Sequence, residues 1–168
     1  MAGEWRRSRR WGYGACAWAV GFAGLHYYWA LGGDVGLSVS AGPELAAHRP
    51  VWFVVTGLWG VGTLCVLGGA LGLVLALGRP RSPLVRAAVG GLGWAVAAVL
   101  SVRGVLVEVL LLTDLTGLDA DIGPGQRFWT LALWNPWFVA GGITFALAAL
   151  AFRASGRARP GSPEALRP

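Results

Sequence analysis

Long stretches of this chain carry no formally charged residue, and that constrains its fold more than any other feature. Residues 11–33, 50–78 and 128–152 hold no Asp, Glu, Lys or Arg. A soluble fold scatters charge over every surface element, and a helix crosses the hydrocarbon of a bilayer with about 20 apolar residues. Four runs meet that length, at residues 11–31, 51–77, 84–113 and 128–152. Composition agrees: 13% of the residues are charged and 55% apolar, with mean hydropathy +0.58, against about a quarter charged in soluble domains. The expected fold is all-α, an integral membrane four-helix bundle. The start of the fourth span is ambiguous, because Asn135 and Pro136 could open a shorter helix as N-cap and first turn. A continuous helix from Phe128, kinked at Pro136, is preferred, since the shorter one leaves an apolar segment with no place.

Charge sets the orientation. All 14 basic residues are arginine. Arg6, Arg7, Arg9, Arg10, Arg79, Arg81, Arg86, Arg153, Arg157, Arg159 and Arg167 fall on one side of such a bundle, and only Arg49 and Arg127 on the other. The positive-inside rule then makes both termini cytoplasmic and locates the protein in the cell (plasma) membrane. Residues 1–10 are an Arg-rich cytoplasmic N-terminus, residues 11–153 the four-span domain, and residues 154–168 a tail too rich in Arg, Pro, Gly and Ser to pack. A secretory signal cleaved near Ala15-Cys16-Ala17 is disfavoured. The apolar run continues well past that point, and cleavage would put the termini on opposite sides. Despite a pI near 10.6, no basic helix interleaved with aromatics suggests nucleic acid. Cys16 and Cys65 lack the spacing of a redox or metal motif and read as inert thiols.

Each expected span has a face of small residues that carries one polar group. His26 shares a face with Ala19, Ala23 and Ala30; Glu108 with Ala97, Ser101 and Gly104; Thr56 with Gly60 and Thr63; Asn135 with Gly142, Ala146 and Ala149. Small residues let helices approach closely in lipid, where no hydrophobic force drives them together. Gly68 to Gly72 also matches GxxxG, a weak signal in a chain with 27 glycines. At 1.5 Å per residue, His26, Thr56 and Glu108 lie roughly 8 Å below the outer helix ends, with Asn135 slightly deeper. The expectation is an intramembrane polar cluster of His26, Thr56, Glu108 and Asn135. Arg103, turned about 140° from Glu108 around its helix, requires a partner: a carbonyl freed by Pro136, a side chain of the cluster reached through a π-bulge, or a second subunit. Tyr27, Tyr28, Trp29 and Trp137 read as interface anchors.

Intramembrane ionisable groups mark pathways, relays or binding sites by default, although each polar residue singly serves as well for helix-to-helix hydrogen bonding. No nucleophile stands beside a base in a recognised motif, and no HExxH or GxSxG occurs. The loop acids Asp114, Asp119 and Asp121 lack the order of a calcium loop. No metal and no cofactor is expected. The leading reading is a non-enzymatic membrane protein acting through lipids or membrane partners, including further copies of itself. Two alternatives stand: a small carrier or proton-coupled transporter subunit, and an intramembrane enzyme on a lipophilic substrate using His26 and Glu108.

Two runs, "GLHYYWALGGD" and "NPWFVAGGITFALA", carry a resemblance. With their HxYWALGG and PWFxxGG patterns, they resemble a family of small bacterial four-span integral membrane proteins of unknown function. The likeness extends from about Ala15 to Phe152. It implies a four-span fold and supplies no activity or catalytic residues.

Overall fold

The computed structural model describes residues 2–78, 80–114 and 122–157, without the side chains of 2–8, 156 and 157. Arg79, Asp119, Asp121, Arg159, Arg167 and most of the C-terminal tail lie outside the described residues, as do the side chains of Arg6, Arg7 and Arg157. The described residues form helices and no strand. Helix α1 is Ala2–Ala30, followed by the short α2, Leu37–Ala41, and α3, Pro43–His48. Eight π-helical residues, Phe53–Gly60, lead into α4, Val61–Leu77. Next come α5, Pro83–Thr113, and the short α6, Pro124–Trp129. A π-helical stretch, Thr130–Trp134, joins α6 without a break to α7, Asn135–Arg157.

Among the described residues, three helices are long and apolar enough to cross a membrane: Phe53–Leu77, Pro83–Thr113 and Pro124–Ser155. The last is continuous through Pro136. Proline there removes an N–H and crowds the carbonyl four residues earlier, and the π-helical stretch immediately before it supplies the altered register that a helix needs at such a point. Helix α1, 29 residues long, lies against both α4 and α7. Glu4 and the four arginines of its first turns, with His26 and the polar aromatics further along, make it the least apolar of the long helices.

The long helices associate as two tight pairs, α1 with α4 and α5 with α7, joined through α1 and α7. Glycine sets the closeness within each pair. A Cβ on Gly72 would lie 2.7 Å from Cys16 N and 3.0 Å from Gly12 O, and one on Gly142 would lie 2.9 Å from Ala97 O. At the seam between the pairs, Trp18 stacks on Trp137 with centroids 5.7 Å apart and donates from Nε1 to the Trp137 carbonyl at 3.0 Å. Ala15, Ala19, Ala97, Phe145, Ala148 and Phe152 form the buried core beside it.

This packing corrects three sequence expectations. The face of Thr56, Gly60 and Thr63 is not the packing face of its helix: Thr56 is exposed and donates back to Trp52 O at 2.7 Å. A projection at 3.6 residues per turn fails there because the segment is π-helical, and the buried residues of α4 are Gly62, Gly69, Gly72 and Leu75. Trp29 is no anchor at a lipid interface. Only 4% exposed, it packs with Leu37, Phe53 and Leu58 and donates from Nε1 to Val35 O at 2.8 Å. Trp137 is half-buried on Trp18 within the seam rather than at a rim. Of the four aromatics, Tyr28 is the exposed one, while Tyr27 lies half-buried over Gly62.

Arg49 and Arg127 cap helix ends. A helix leaves its last carbonyls without partners, and cations there also meet the negative end of the dipole. Arg49 donates to Trp29 O at 2.8 Å, to Gly33 O at 2.6 Å and to Asp34 Oδ1 at 2.6 Å; Arg127 donates to Leu111 O at 2.9 Å. Arg49 adopts positive φ, 42°, a conformation uncommon outside glycine that these three bonds hold. Arg49→Ala should destabilise the protein by about 1–3 kcal/mol, the range for losing hydrogen bonds to a charged group. A lowered midpoint in denaturant titration of the detergent-solubilised protein is the expected result. Gly72→Ile should cost at least as much by forcing α1 from α4.

Candidate functional site

Where α1, α2, the π-helical segment and α7 converge, the helices leave a cavity of about 180 Å³. Phe22, His26 and Trp29 of α1, Phe53, Gly57 and Leu58 of the π-helical segment, and Thr130, Trp134 and Phe138 of the last helix line it. Leu37, Ser40 and Ala41 of α2 close its end. Arg103 is the one residue that α5 contributes. Because Phe53–Gly60 and α5 scarcely touch, the cavity occupies the space between the two helix pairs. Aromatic rings make nearly half of its lining, with Trp29 meeting His26 at 5.3 Å and Trp134 at 6.2 Å between centroids.

The expected cluster divides in two. Arg103, Glu108 and Asn135 come together: Arg103 Nη1 donates to Asn135 Oδ1 at 3.0 Å, and Asn135 Nδ2 donates to Glu108 Oε2 at 2.8 Å. A primary amide suits this place because it offers an acceptor to the guanidinium and a donor to the carboxylate at once. The cation and anion, on different faces of α5, are thereby joined through a neighbouring helix. Asn135 is 1% exposed and Glu108 half-buried. The backbone brings the amide in at close range, since Gly104 lies where a Cβ would be 2.9 Å from Asn135 O. The guanidinium also sits over the Phe138 ring, 4.5 Å from its centroid, a favourable cation–π arrangement.

His26 stands apart from that chain. It is 8% exposed, and its Nδ1 lies 2.9 Å from Phe22 O. A carbonyl only accepts, so Nδ1 carries the hydrogen and Nε2 of the neutral ring is left as an acceptor without a partner among the described residues. His26 and Arg103 share the wall of one cavity, but no hydrogen bond joins His26 to Glu108. Thr56 takes no part, for the reason given above.

Sequence reasoning missed Ser40, Thr130 and Trp134. The Ser40 hydroxyl donates to Gly36 O at 2.7 Å and that of Thr130 to Gln126 O at 2.8 Å, so each has only lone pairs left to offer. Trp134 Nε1 is a buried donor without a partner. Its position beside Asn135 and Pro136 was the available signal, because helix next to a proline must depart from regular register.

If Asn135 holds Arg103 and Glu108 together, Asn135→Leu should destabilise the protein by about 1–3 kcal/mol, the range for losing hydrogen bonds to charged groups. Adding Arg103→Met and Glu108→Leu to Asn135→Leu should recover much of that loss. Equal stability of Asn135→Leu and wild type in denaturant titration would refute the bridge.

A family model described as "Protein of unknown function (DUF3995)" matches residues 19–145. No curated protein and no solved structure matches the chain.

Proposed function

The chain belongs to that family of unknown function, and on the strength of its own structure we propose that it is a four-span protein of the cell membrane that binds a lipophilic membrane molecule without chemically changing it. The observation that carries this reading is the aromatic cavity lying between the two helix pairs and holding Arg103 and His26. Ligand sites are concave, mostly apolar, and supplied with a few placed polar groups. An arginine at this position is expensive in a bilayer and is kept where it pairs or serves a site; pairing through Asn135 meets the structural need and leaves further donors for a ligand.

In this reading α1 is the fourth span. Its low apolarity is accommodated because Ala15, Ala19, Phe22, Ala23, His26 and Trp29 turn inward against α4 and α7. Both termini face the cytoplasm, supported by the bias of the arginines to that side. The space between Phe53–Gly60 and α5 then opens onto lipid, so a molecule enters from the bilayer rather than from water. The exposed apolar residues of α4 and α5, among them Leu64, Leu67, Val99 and Val102, meet lipid or a second copy of the chain.

Topology and ligand are tested separately. In a Cys16→Ala, Cys65→Ala background, His48→Cys should react with a membrane-impermeant maleimide on intact cells, and Ser82→Cys only after lysis. The reverse pattern would overturn the orientation. Native mass spectrometry of the protein released from its own membrane should show an adduct of lipid mass, and Ala41→Phe, which fills the cavity end, should remove it. An adduct unchanged by Ala41→Phe would place the lipid elsewhere and defeat the cavity reading.

A further inference from the structure

The hydrogen-bonding groups of the cavity specify a class of ligand, an inference that rests on the cavity being a binding site. Acceptors on its wall are His26 Nε2 and the lone pairs of Ser40 Oγ and Thr130 Oγ, whose hydrogens go to Gly36 O and Gln126 O. The donors are the N–H groups of Arg103 beyond the one given to Asn135. A headgroup that only accepts, such as an ester or a quinone, would satisfy Arg103 and leave the imidazole nitrogen bare. Only a group that both accepts and donates matches the two sides, since buried polar groups left unpaired weaken binding.

Charge narrows the class further. Arg103 is already balanced by Glu108 through the Asn135 amide, so a permanently anionic ligand would bring an uncompensated charge into a low-dielectric site. An oxyacid avoids this by carrying its own proton, which it shares with or passes to His26 Nε2 while its second oxygen accepts from the planar guanidinium. Two oxygens on one atom are the geometry that a guanidinium recognises best. Size agrees as well: about 180 Å³ is some six times the volume of a water in the liquid, enough for a headgroup and the first carbons of a chain. The remainder of the chain lies between Phe53–Gly60 and α5.

We propose that the cavity binds the protonatable carboxylic-acid headgroup of a single-chain amphiphile, a fatty acid, with Arg103 and His26 as its two polar contacts.

The test is equilibrium binding of tritiated hexadecanoic acid to the full-length protein in nanodiscs, with competition by hexadecyl phosphate, hexadecanol and methyl hexadecanoate. The acid should bind saturably and at least about tenfold tighter than the ester or the alcohol, the worth of one charge-assisted hydrogen bond. Arg103→Gln and His26→Phe should each reduce it to near the level of the ester. Should either variant misfold by circular dichroism, the comparison of acid with ester and alcohol on the wild-type protein decides the matter alone. Stronger competition by hexadecyl phosphate than by unlabelled acid would overturn the inference that the headgroup carries its own proton. Ester or alcohol binding as tightly as acid would overturn the oxyacid inference and leave a lipid-binding cavity. Binding of none of the four would overturn both.

Discussion

Contact between backbones, made possible by glycine, is the constraint on which the rest of this structure depends. Gly72 lets α4 reach the backbone of α1, and Gly104 and Gly142 let α5 and α7 do the same. Helices this close within each pair cannot all be equally close between pairs. The pairs therefore meet mainly along α1 against α7, with α4 touching α5 and α7 more lightly, and the π-helical segment and α5 remain apart. What occupies that separation is a cavity walled by side chains too large for a backbone contact. Tight packing in one place thus creates the open volume in another, and the seam aromatics Trp18, Trp137, Phe138 and Phe145 fill what lies between.

The polar groups follow the same geometry. Had α5 and α7 been held at an ordinary side-chain distance, the short amide of Asn135 could not reach both Arg103 and Glu108. Pro136 contributes by standing next to it, because the departure from regular register in Thr130–Trp134 sets the direction of the helix just before the bridge. A residue type disruptive to helices lies beside the buried amide that ties two helices together. Local irregularity and long-range order are coupled there.

Much of the architecture was legible in the sequence, and the failures have physical causes. Absence of charge over long runs announced an all-helical chain with segments able to cross a membrane. The small-residue faces of α1, α5 and α7 could be projected correctly because those stretches are regular α-helix where it matters, which is why Glu108 and Asn135 could be seen to share an interface. The Thr56 face was misread because nothing in FVVTGLWG announces π-helical hydrogen bonding. Trp29 was misread because an aromatic near a helix end suits an interface equally well whether α2 folds over it or not, and the five residues of α2 carry little periodic signal. Arg103 posed its question in the sequence, but the answer, an amide on another helix, depends on a distance that no pattern encodes.

Arg49 and Arg127 have a consequence for how such a chain assembles. Each reaches from a short connecting helix or its cap back to the carbonyls that end an earlier long one: Arg49 closes the turn between α1 and α4, and Arg127 closes that between α5 and α7. Every helical hairpin in the molecule's two pairs therefore carries its own latch, made from residues within that hairpin. The first can be fastened before the second has been synthesised. Assembly then reduces to the meeting of two preformed units along α1 and α7, with the Arg103–Asn135–Glu108 bridge already made within one of them.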